Sequence, residues 1–278
     1  MFAATRLLVL TLAAACALTA PACMPFTQKP RAVNVLVFNI HAGKDADGRD
    51  NIAEVARLVH STSADIVLLQ EVDRGTKRSG GVDQLQALMD GTEHDGVFGR
   101  TLDYDGGQYG LAALSDEGFT DSHVVTLPVT PVQTRAGGSH EPRGALVAVA
   151  LTPLGRWQAL TTHLDASAGD EYRLQEVEQL VWLLKQRMVW EDPIVVGGDF
   201  NATPDSAVVK NLLAFGLRDA WTECGQGDGF TFPASAPTKR IDYLFLSQAV
   251  RCTSARVLDS TISDHRPLLV TVERVQQP

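Results

Sequence analysis

The segment GGDFNATP, residues 197–204, places a carboxylate and an amide two residues apart, where an apolar run meets a predicted helix. Asp199 can bind a divalent cation or hold an attacking water. Asn201 can donate amide hydrogens to a phosphoryl oxygen. The pair suits hydrolysis of a phosphate ester, but an Asx turn that caps the helix would explain the same residues. Other polar clusters must therefore distinguish these two interpretations.

Two more polar groups stand at the ends of apolar runs near the start of the chain, Asn39 in FNIH and Glu71 in LQEVD. The two runs flank a predicted helix, so they form a β-α-β unit whose strands end at the same edge of a sheet. A buried glutamate is costly unless it is paired or binds a metal. Glu71 is therefore a candidate metal ligand, and an ion pair with Arg74 or Lys77 is the structural alternative.

Three later segments carry groups that could handle protons or charge: TTHLD (161–165), RIDYLF (240–245) and SDHRP (263–267). His163 closes a strand, where an imidazole can protonate a departing oxygen. Asp242 lies within a hydrophobic strand and needs a metal, an imidazolium or Arg240 as its partner. Asp264 could ligate a metal ion or orient a neighbouring group, and His265 could contact phosphate or water. The alternatives are that His163 has only a structural role and that the SDHRP segment is a polar turn on the surface.

Taken in order, the stretches FNI, LLQEVD, THLD, GGDFNATP, RIDYLF and SDHRPL resemble the endonuclease/exonuclease/phosphatase superfamily. The resemblance extends over residues 33–272. The superfamily includes DNase-I-like nucleases, abasic-site nucleases, deadenylases, inositol-polyphosphate phosphatases and bacterial sphingomyelinases. It implies an α/β fold, a DNase-I-like four-layer sandwich in which two mixed β-sheets pack face to face with helices outside. The site would lie across the top of the two sheets.

The resemblance also implies roles for particular side chains. The cofactor would be Mg²⁺, with Mn²⁺ as a possible substitute, held mainly by Glu71 with four residues around it: Asn39, Asp199, Asn201 and Asp264. The catalytic residues would be His163, Asp199, Asn201, Asp242 and His265. Either Asp199 or the Asp264/His265 pair would prepare the water, and Asp242 would support the site electrostatically. The residues that contact substrate phosphate would be Arg143, Asn201 and Tyr109.

One departure from the family pattern concerns the acid histidine. Nucleases of the DNase-I type place a glutamate near the position of residues 108–110 to pair with this histidine, and no carboxylate stands there. Asp165 could substitute, or His163 could serve only as a hydrogen-bond donor. The choice affects how a leaving oxygen would be protonated.

Substrate class is suggested by the segments around Glu71. Arg74, Lys77 and Arg78 follow it closely and could guide an anionic substrate, although a solvated loop is the simpler interpretation. The stretches NIHAGKD and EVDRGTKRSGGVDQ resemble a bacterial branch of the superfamily related to proteins of glycolipid-anchor metabolism. This resemblance favours a lipid headgroup or another small phosphodiester as substrate.

Hydrophobic periodicity predicts the elements that position these groups. The predicted strands are 32–40, 65–72, 109–114, 119–127, 144–151, 157–164, 193–196, 241–246, 250–258 and 267–272. The predicted helices are 51–60, 83–89, 170–190 and 206–215. Residues 91–107 are rich in glycine and aspartate, so we expect a loop whose end covers the site, interrupted by a possible strand at 97–101. The order predicts two sheets covered by helices.

Composition predicts one globular domain, residues 31–276, after an export signal. The chain has 278 residues, of which 45% are hydrophobic, enough for a large core. Residues 1–22 are predicted to be a signal peptide because residues 7–20 form an apolar run too short for a comfortable membrane span. Cys23 would then be the first mature residue and a possible lipid-attachment site, although Ala20 stands where lipoprotein signals usually have leucine. We expect a periplasmic or extracellular protein, with membrane anchoring through Cys23 as the alternative to a soluble form.

Net charge limits the classes of substrate, and the cysteine content suggests one disulfide. The formal net charge of −9 disfavours tracking along a long nucleic acid, so an extracytoplasmic non-specific nuclease is the second hypothesis. A catalytically silent module that binds a phosphorylated ligand is the third. Cys224 and Cys252 are candidates for a disulfide, with two buried free thiols as the alternative. The expected protein is a monomer that acts on a small-molecule or lipid phosphoester.

Overall fold

A computed structural model describes residues 32–132, 141–187 and 193–275, and within them the apolar runs form two six-stranded β-sheets. The strands are β1 (Val33–Asn39), β2 (Ile66–Arg74), β3 (Asp95–Tyr104), β4 (Gly107–Ser115), β5 (Phe119–Thr126), β6 (Gly144–Thr152), β7 (Gly155–His163), β8 (Ile194–Asp199), β9 (Arg218–Asp219), β10 (Asp242–Leu246), β11 (Val250–Val257) and β12 (Leu268–Arg274). The helices are α1 (Ile52–Thr62), α2 (Gln84–Thr92), α3 (Glu171–Arg187), α4 (Ala207–Phe215) and α5 (Ala220–Cys224).

Both sheets are mixed. The first has the order β11-β12-β1-β2-β4-β3, and the second has the order β5-β6-β7-β8-β10-β9. The pairs β1/β2 and β7/β8 are parallel and are joined through α1 and α3, respectively, while the other pairs are antiparallel. The predicted β-α-β opening is confirmed. Each parallel pair brings two strand ends to one edge of its sheet.

Successive residues along each strand face opposite sides of the sheet, and the buried side chains therefore form three apolar layers. Val35 and Val37 face the second sheet in a core that also contains Trp157 and Leu244. Leu36 and its alternating neighbours face the other way, against α1 and α2. The outer face of the second sheet is covered by α3 and α4. Strands buried on both faces explain why the sequence shows continuous apolar runs. The structure therefore has the predicted four-layer α/β sandwich.

The possible strand at residues 97–101 is confirmed and is longer than predicted, whereas the prediction of a loop at the end of the 91–107 stretch was wrong. Residues Asp95–Tyr104 form β3, which pairs with β4 along its length. Two glycines in these strands are required by close packing and not by a turn. A Cβ on Gly110 would lie 2.0 Å from the carbonyl oxygen of Gly99, and a Cβ on Gly99 would lie 3.0 Å from the Leu146 Cβ. Glycine composition therefore suggested a loop where two layers approach closely.

Cys224 at the end of α5 and Cys252 in β11 form a disulfide, with their Cα atoms 5.9 Å apart. The predicted signal peptide, Cys23 and the outermost residues of the predicted domain 31–276 lie outside the described residues, so these assignments stay predictions. No helix within the described ranges has the length and apolar character needed to span a membrane.

Candidate active site

The polar residues at the strand ends meet along one edge of the sandwich. Asn39 ends β1, and Glu71 lies in β2 where the pairing with β4 is interrupted by a bulge between Leu69 and Val72. Glu71 has φ of +58°, a left-handed conformation that is unfavourable for a side chain of its kind. The bulge thereby turns this carboxylate into a cleft that it lines.

The second sheet supplies three more groups through its register. His163 at the end of β7 pairs with Asp199 at the end of β8, and Asp199 also pairs with Asp242 at the start of β10. Three charged or polar side chains therefore stand side by side across three adjacent strands. His265 joins them from the segment before β12, which belongs to the first sheet.

Asn39 connects the two sheets. Its Nδ2 donates to Glu71 Oε1 and to Asp199 Oδ2, each at 3.1 Å, while its Oδ1 accepts from the backbone N–H of His41 at 3.0 Å. Its carbonyl accepts from Ser263 Oγ at 2.8 Å. In this arrangement the amide nitrogen of Asn39 faces the carboxylates and holds them close together. Asn39 is 1% exposed and supports the cleft from below.

His265 is held between two carboxylates. Its Nδ1 lies 2.9 Å from Asp242 Oδ2, and its Nε2 lies 3.5 Å from Asp199 Oδ2. Burial alone would lower the pKa of His265, but these two carboxylates outweigh that effect and raise the pKa to about 10. Burial raises the pKa of Asp199 above its usual range, against the opposing effect of His265. Arg240 pairs with Asp219 at 2.7 Å, so it does not take the place of His265 as partner of Asp242.

His163 is in a different environment. Its Nε2 lies 3.5 Å from Asp199 Oδ2, whereas its buried Nδ1 has no hydrogen-bond partner among the described residues. The suggestion that Asp165 replaces the missing glutamate was therefore wrong. Burial lowers the pKa of His163 well below its ordinary value, and the nearby Arg143 and His265 lower it further. A neutral His163 suits hydrogen-bond donation to an oxygen of the substrate.

The segment after β7 is fixed by α3. Arg173 Nη1 donates to the carbonyls of Asp165 and Ser167 at 2.7 Å, and Glu176 Oε2 accepts from the Asp165 N–H at 2.9 Å. Glu176 is 1% exposed, and burial raises its pKa to about 7. These contacts hold the backbone next to His163.

Asn201 follows Asp199 with φ of +49°, and its N–H donates to Asp199 Oδ1 at 2.9 Å. Its amide nitrogen donates one hydrogen to the carbonyl of Leu164 at 3.0 Å. A carboxamide has two such hydrogens, so the second is available in the cleft that Asn201 lines. This local geometry is an Asx turn that orients both side chains, but it does not cap the helix as the sequence alternative supposed, because Ser206 is the N-cap of α4.

Arg143 and Tyr109 line the same cleft. Arg143 Nη1 pairs with Glu141 Oε1 at 2.6 Å, and both side chains are buried. Burial, together with Glu71 and Glu141, raises the pKa of Tyr109 well above its usual value, so its hydroxyl stays protonated and can donate. Both positions predicted to contact phosphate therefore carry donors. Glu141 was not identified from the sequence, although it stands only two residues before Arg143.

Two further residues line the cleft, His41 and Arg78. His41 was not identified from the sequence, whereas Arg78 was considered as one of three cations that could guide an anionic substrate. His41 has φ of +52° in the 3₁₀ turn His41–Gly43, and its Nδ1 lies 3.8 Å from Asp264 Oδ1. Arg78 was assigned to a solvated basic loop, but its side chain is only 34% exposed and pairs with Asp73. The motif NIH contained a signal for His41, namely a histidine directly after the strand that carries Asn39.

The cleft has a volume of about 760 Å³. Eight of the predicted site residues line it: Glu71, Tyr109, Arg143, His163, Asp199, Asn201, Asp264 and His265. Asn39 and Asp242 are buried beneath them. The cleft therefore combines carboxylates, imidazoles and amide donors, which is the set of groups that hydrolysis of a phosphate ester requires.

Two carboxylate groupings could hold a cation. One oxygen or nitrogen from each of Asp199, Asp242 and His265 lies within 4.8 Å of the others. However, both ring nitrogens of His265 already face carboxylates. Glu71 forms no salt bridge with a lysine or arginine among the described residues, since Arg74 pairs with Asp83 instead. A carboxylate beside Asp199 without such a salt bridge fits a hard divalent cation better.

Residues 34–265 match the model of the Endonuclease/Exonuclease/phosphatase family. The chain belongs to this family. Members of the family are hydrolases that act on phosphoester bonds. The uncharacterized protein YbhP of Escherichia coli (strain K12) is 26% identical over 259 residues, covering 88% of this chain and 98% of that protein.

Solved structures of the family share the sandwich. The endonuclease/exonuclease/phosphatase from Bacteroides vulgatus superposes with a TM-score of 0.72 and 25% identity, covering 88% of this chain and 100% of that one. The mannosyl-6-phosphatase Bt3783 of Bacteroides thetaiotaomicron superposes with a TM-score of 0.71 and 19% identity, covering 86% of this chain and 99% of that one. At these identities the likeness concerns the fold.

Proposed function

We propose that this chain is an exported Mg²⁺-dependent phosphoesterase that hydrolyses a phosphodiester of a lipid headgroup or another small molecule. The observation that carries the proposal is the junction of the two sheets. There the Asn39 amide holds Glu71 and Asp199 together, and Glu71 forms no salt bridge with a lysine or arginine within the described part of the chain, although Arg143 attracts it electrostatically. Glu71, Asp199 and Asp264 would hold the cation, with Asn39 supporting them. When bound, the cation supplies Lewis-acid polarisation of a phosphoryl oxygen.

The remaining side chains divide the other tasks. Asp199, fixed by the N–H of Asn201, orients the attacking water and accepts its proton. The second amide hydrogen of Asn201 and the hydroxyl of Tyr109 donate to phosphoryl oxygens. His163, which burial keeps neutral, donates to the leaving oxygen. His265, held by Asp242, supplies positive charge near the developing negative charge.

Turnover tests this assignment directly. We expect hydrolysis of bis-p-nitrophenyl phosphate with Mg²⁺ or Mn²⁺, and none with a chelator. Glu71→Gln and His163→Ala should each lower kcat/KM about 100-fold or more, because each removes a group that acts on the reacting phosphate. Glu54→Gln is the matched control, since Glu54 is an exposed glutamate on α1 that pairs with Arg57. Wild-type turnover by Glu71→Gln would refute the assignment.

Substrate comparison separates the alternatives. Preference for p-nitrophenyl phosphate over the diester would indicate a phosphatase. Nicking of supercoiled plasmid would indicate a nuclease, which the net charge of −9 disfavours. Absence of any metal-dependent turnover would favour a silent module that binds a phosphorylated ligand.

Export is the other part of the proposal, and it rests on the apolar run of residues 7–20 followed by Cys23. Cell fractionation should place the mature protein outside the cytoplasm, and mass spectrometry of the mature N-terminus would decide whether Cys23 is acylated. Recovery of a cytoplasmic protein that keeps Met1 would contradict export.

A further inference from the structure

Arg78 lines the cleft and has no role in the proposed chemistry. It lies between β2 and α2, in a segment where a solvated surface side chain was expected. Its Nε and Nη2 instead donate to Asp73 Oδ2 and Oδ1 at 2.7 and 2.8 Å. The Asp73 side chain is fully buried and also accepts from Thr76 Oγ1 at 2.7 Å. The orientation of the guanidinium is therefore fixed by a two-point contact with a buried carboxylate.

This contact leaves half of the guanidinium unused. A guanidinium has five N–H donors, and Asp73 takes one from Nε and one from Nη2. The other Nη2 hydrogen and both Nη1 hydrogens have no acceptor among the described residues. The free edge, formed by Nη1 and Nη2, is a complete two-pronged donor of the kind that binds phosphate or carboxylate oxygens. Because Arg78 is already ordered, an anion would bind there without the cost of fixing the side chain.

Aromatic rings keep the guanidinium at this place. Arg78 Cζ lies 4.6 Å from the centre of the Tyr104 ring and 5.1 Å from the centre of the Tyr109 ring. The two ring centres are 6.4 Å apart in an edge-to-face arrangement, so the rings contact the guanidinium from adjacent sides and attract its positive charge. Tyr109 lies on β4, next to the strand of Glu71, and Tyr104 lies on β3, one strand further. Arg78 and Glu71 both line the cleft and both influence the pKa of the Tyr109 hydroxyl, so both lie near this ring.

We propose that Arg78 binds a second anionic group of the substrate, so that the preferred ester carries another phosphate or carboxylate that reaches Arg78 within the same cleft. The inference rests on the proposed function for the identity of the first site. The phosphate that is hydrolysed lies against Glu71 and Asp199, and the second anion lies on the free edge of Arg78. Two sources of this chemistry are a small polyol with two phosphates and the next phosphate of a nucleotide chain.

Isothermal titration calorimetry with Ca²⁺ present tests the idea through binding alone. Two probe pairs are compared: fructose 6-phosphate with fructose 1,6-bisphosphate, and thymidylyl-thymidine with its 5′-phosphorylated form. For the wild type we expect the doubly anionic member of at least one pair to bind about tenfold more tightly. A preference in the sugar pair supports a small polyol as substrate, and a preference only in the dinucleotide pair supports a nucleotide chain.

Variants assign the preference to Arg78. Arg78→Gln should bring the affinity ratio close to one. Arg78→Lys keeps a positive charge for Asp73 and should also lose most of the preference, because an ammonium has no two-pronged edge. Arg74→Gln is the matched control, since this neighbouring arginine pairs with Asp83 and lies over Phe98. It should keep the wild-type ratio.

The outcomes separate the two proposals. Equal binding of both members of both pairs by the wild type would overturn the role of Arg78. A wild-type ratio that persists in Arg78→Lys and Arg78→Gln would do the same. A protein that shows the Arg78-dependent preference but hydrolyses no phosphoester would instead contradict the proposed function and leave the anion site standing.

Discussion

At the scale of single residues, the charge balance of the cleft depends on His265. Two carboxylates from adjacent strands face its two ring nitrogens, and the resulting rise in pKa keeps the imidazole protonated near neutral pH. Burial instead lowers the pKa of the second imidazole, His163. Two histidines that meet at Asp199 therefore have opposite protonation states. This difference assigns positive charge to one and neutral hydrogen-bond donation to the other.

Removing the carboxylate that holds His265 tests this assignment. Asp242→Asn should lower kcat for bis-p-nitrophenyl phosphate about 100-fold, because the amide cannot stabilise the imidazolium. The upper limb of the pH profile should also move to lower pH. Asp121→Asn, which alters an exposed aspartate on β5, is the control and should behave like the wild type. Unchanged kcat in a folded Asp242→Asn variant would show that His265 does not need its partner.

Glu176 gives a prediction about stability. Its folded-state pKa of about 7 lies above the ordinary value of 4.5 because it is buried. Folding therefore disfavours its ionised form. The penalty is absent below the ordinary pKa, grows as pH rises and is complete above the folded pKa. Glu176→Gln cannot ionise, so between pH 4 and pH 9 it should gain about 3 kcal/mol relative to the wild type.

Urea unfolding of wild type and Glu176→Gln at both pH values measures this gain. A substitution of the exposed Glu178 on the same helix, Glu178→Gln, provides the comparison. If the difference between Glu176→Gln and wild type were the same at pH 4 and pH 9, the ionisation of Glu176 would not oppose folding.

Most site residues could be predicted because each stands directly at the end of an apolar run. Asn39, Glu71, His163, Asp199 and Asp242 share this position, and the regular geometry of strands carries their side chains to one edge. The place of Arg78 depends instead on a buried ion pair and on rings from two other strands. Such contacts leave no periodic pattern in the sequence.

At the scale of elements, the fold was predictable where strands are buried on both faces. The limits of β1, β2 and β7 differ from the predicted ones by one or two residues. Only the centre of β3 was predicted, as a possible strand at residues 97–101, because its residues are half-exposed and its glycines are selected by contact with neighbouring layers. Intrinsic propensity alone would assign the ends of such a strand to a loop. Pairing with the neighbouring strand β4 overrides that preference.

The disulfide between α5 and β11 gives a prediction at this scale. Cys224 and Cys252 are 28 residues apart, and closing such a loop stabilises the protein by about 3.5 kcal/mol through the unfolded state. The double variant Cys224→Ser/Cys252→Ser should lose about that much free energy of unfolding. Its kcat at low temperature should stay within about twofold of wild type, since neither cysteine lines the cleft.

Chemical denaturation with and without a reductant supplies the measurement. The reductant should destabilise the wild type and leave the double variant unchanged. Equal stability of oxidised and reduced wild type would mean that the bond contributes nothing to the folded protein.

At the scale of the whole molecule, the proposed cation site would join the two sheets, because Glu71 comes from one and Asp199 from the other. A ligand that binds only the folded state raises the free energy of unfolding, by about 2.7 kcal/mol at a hundredfold excess over Kd. Magnesium should therefore raise Tm of the wild type. Glu71→Gln should show little or no shift, and Glu54→Gln should show the full shift.

Thermal unfolding followed by circular dichroism, with magnesium or with a chelator, distinguishes these cases. A magnesium shift of the same size in Glu71→Gln and in wild type would place the cation elsewhere, with the Asp199, Asp242 and His265 group as the next candidate.

The position of Asn39 has a consequence for how this protein loses activity. Its side chain spans the seam where the sheets meet, so the separation of the two carboxylates follows any sliding or rotation of one sheet against the other. The packing that opposes such movement lies remote from the cleft, around Trp157 in the central core. Mild heating that loosens this core, while both sheets keep their internal hydrogen bonds, will change the spacing of the reacting groups first. The temperature of inactivation is then expected to lie several degrees below the temperature at which β-structure is lost. Enzyme activity would therefore report small changes in the relative position of the two sheets.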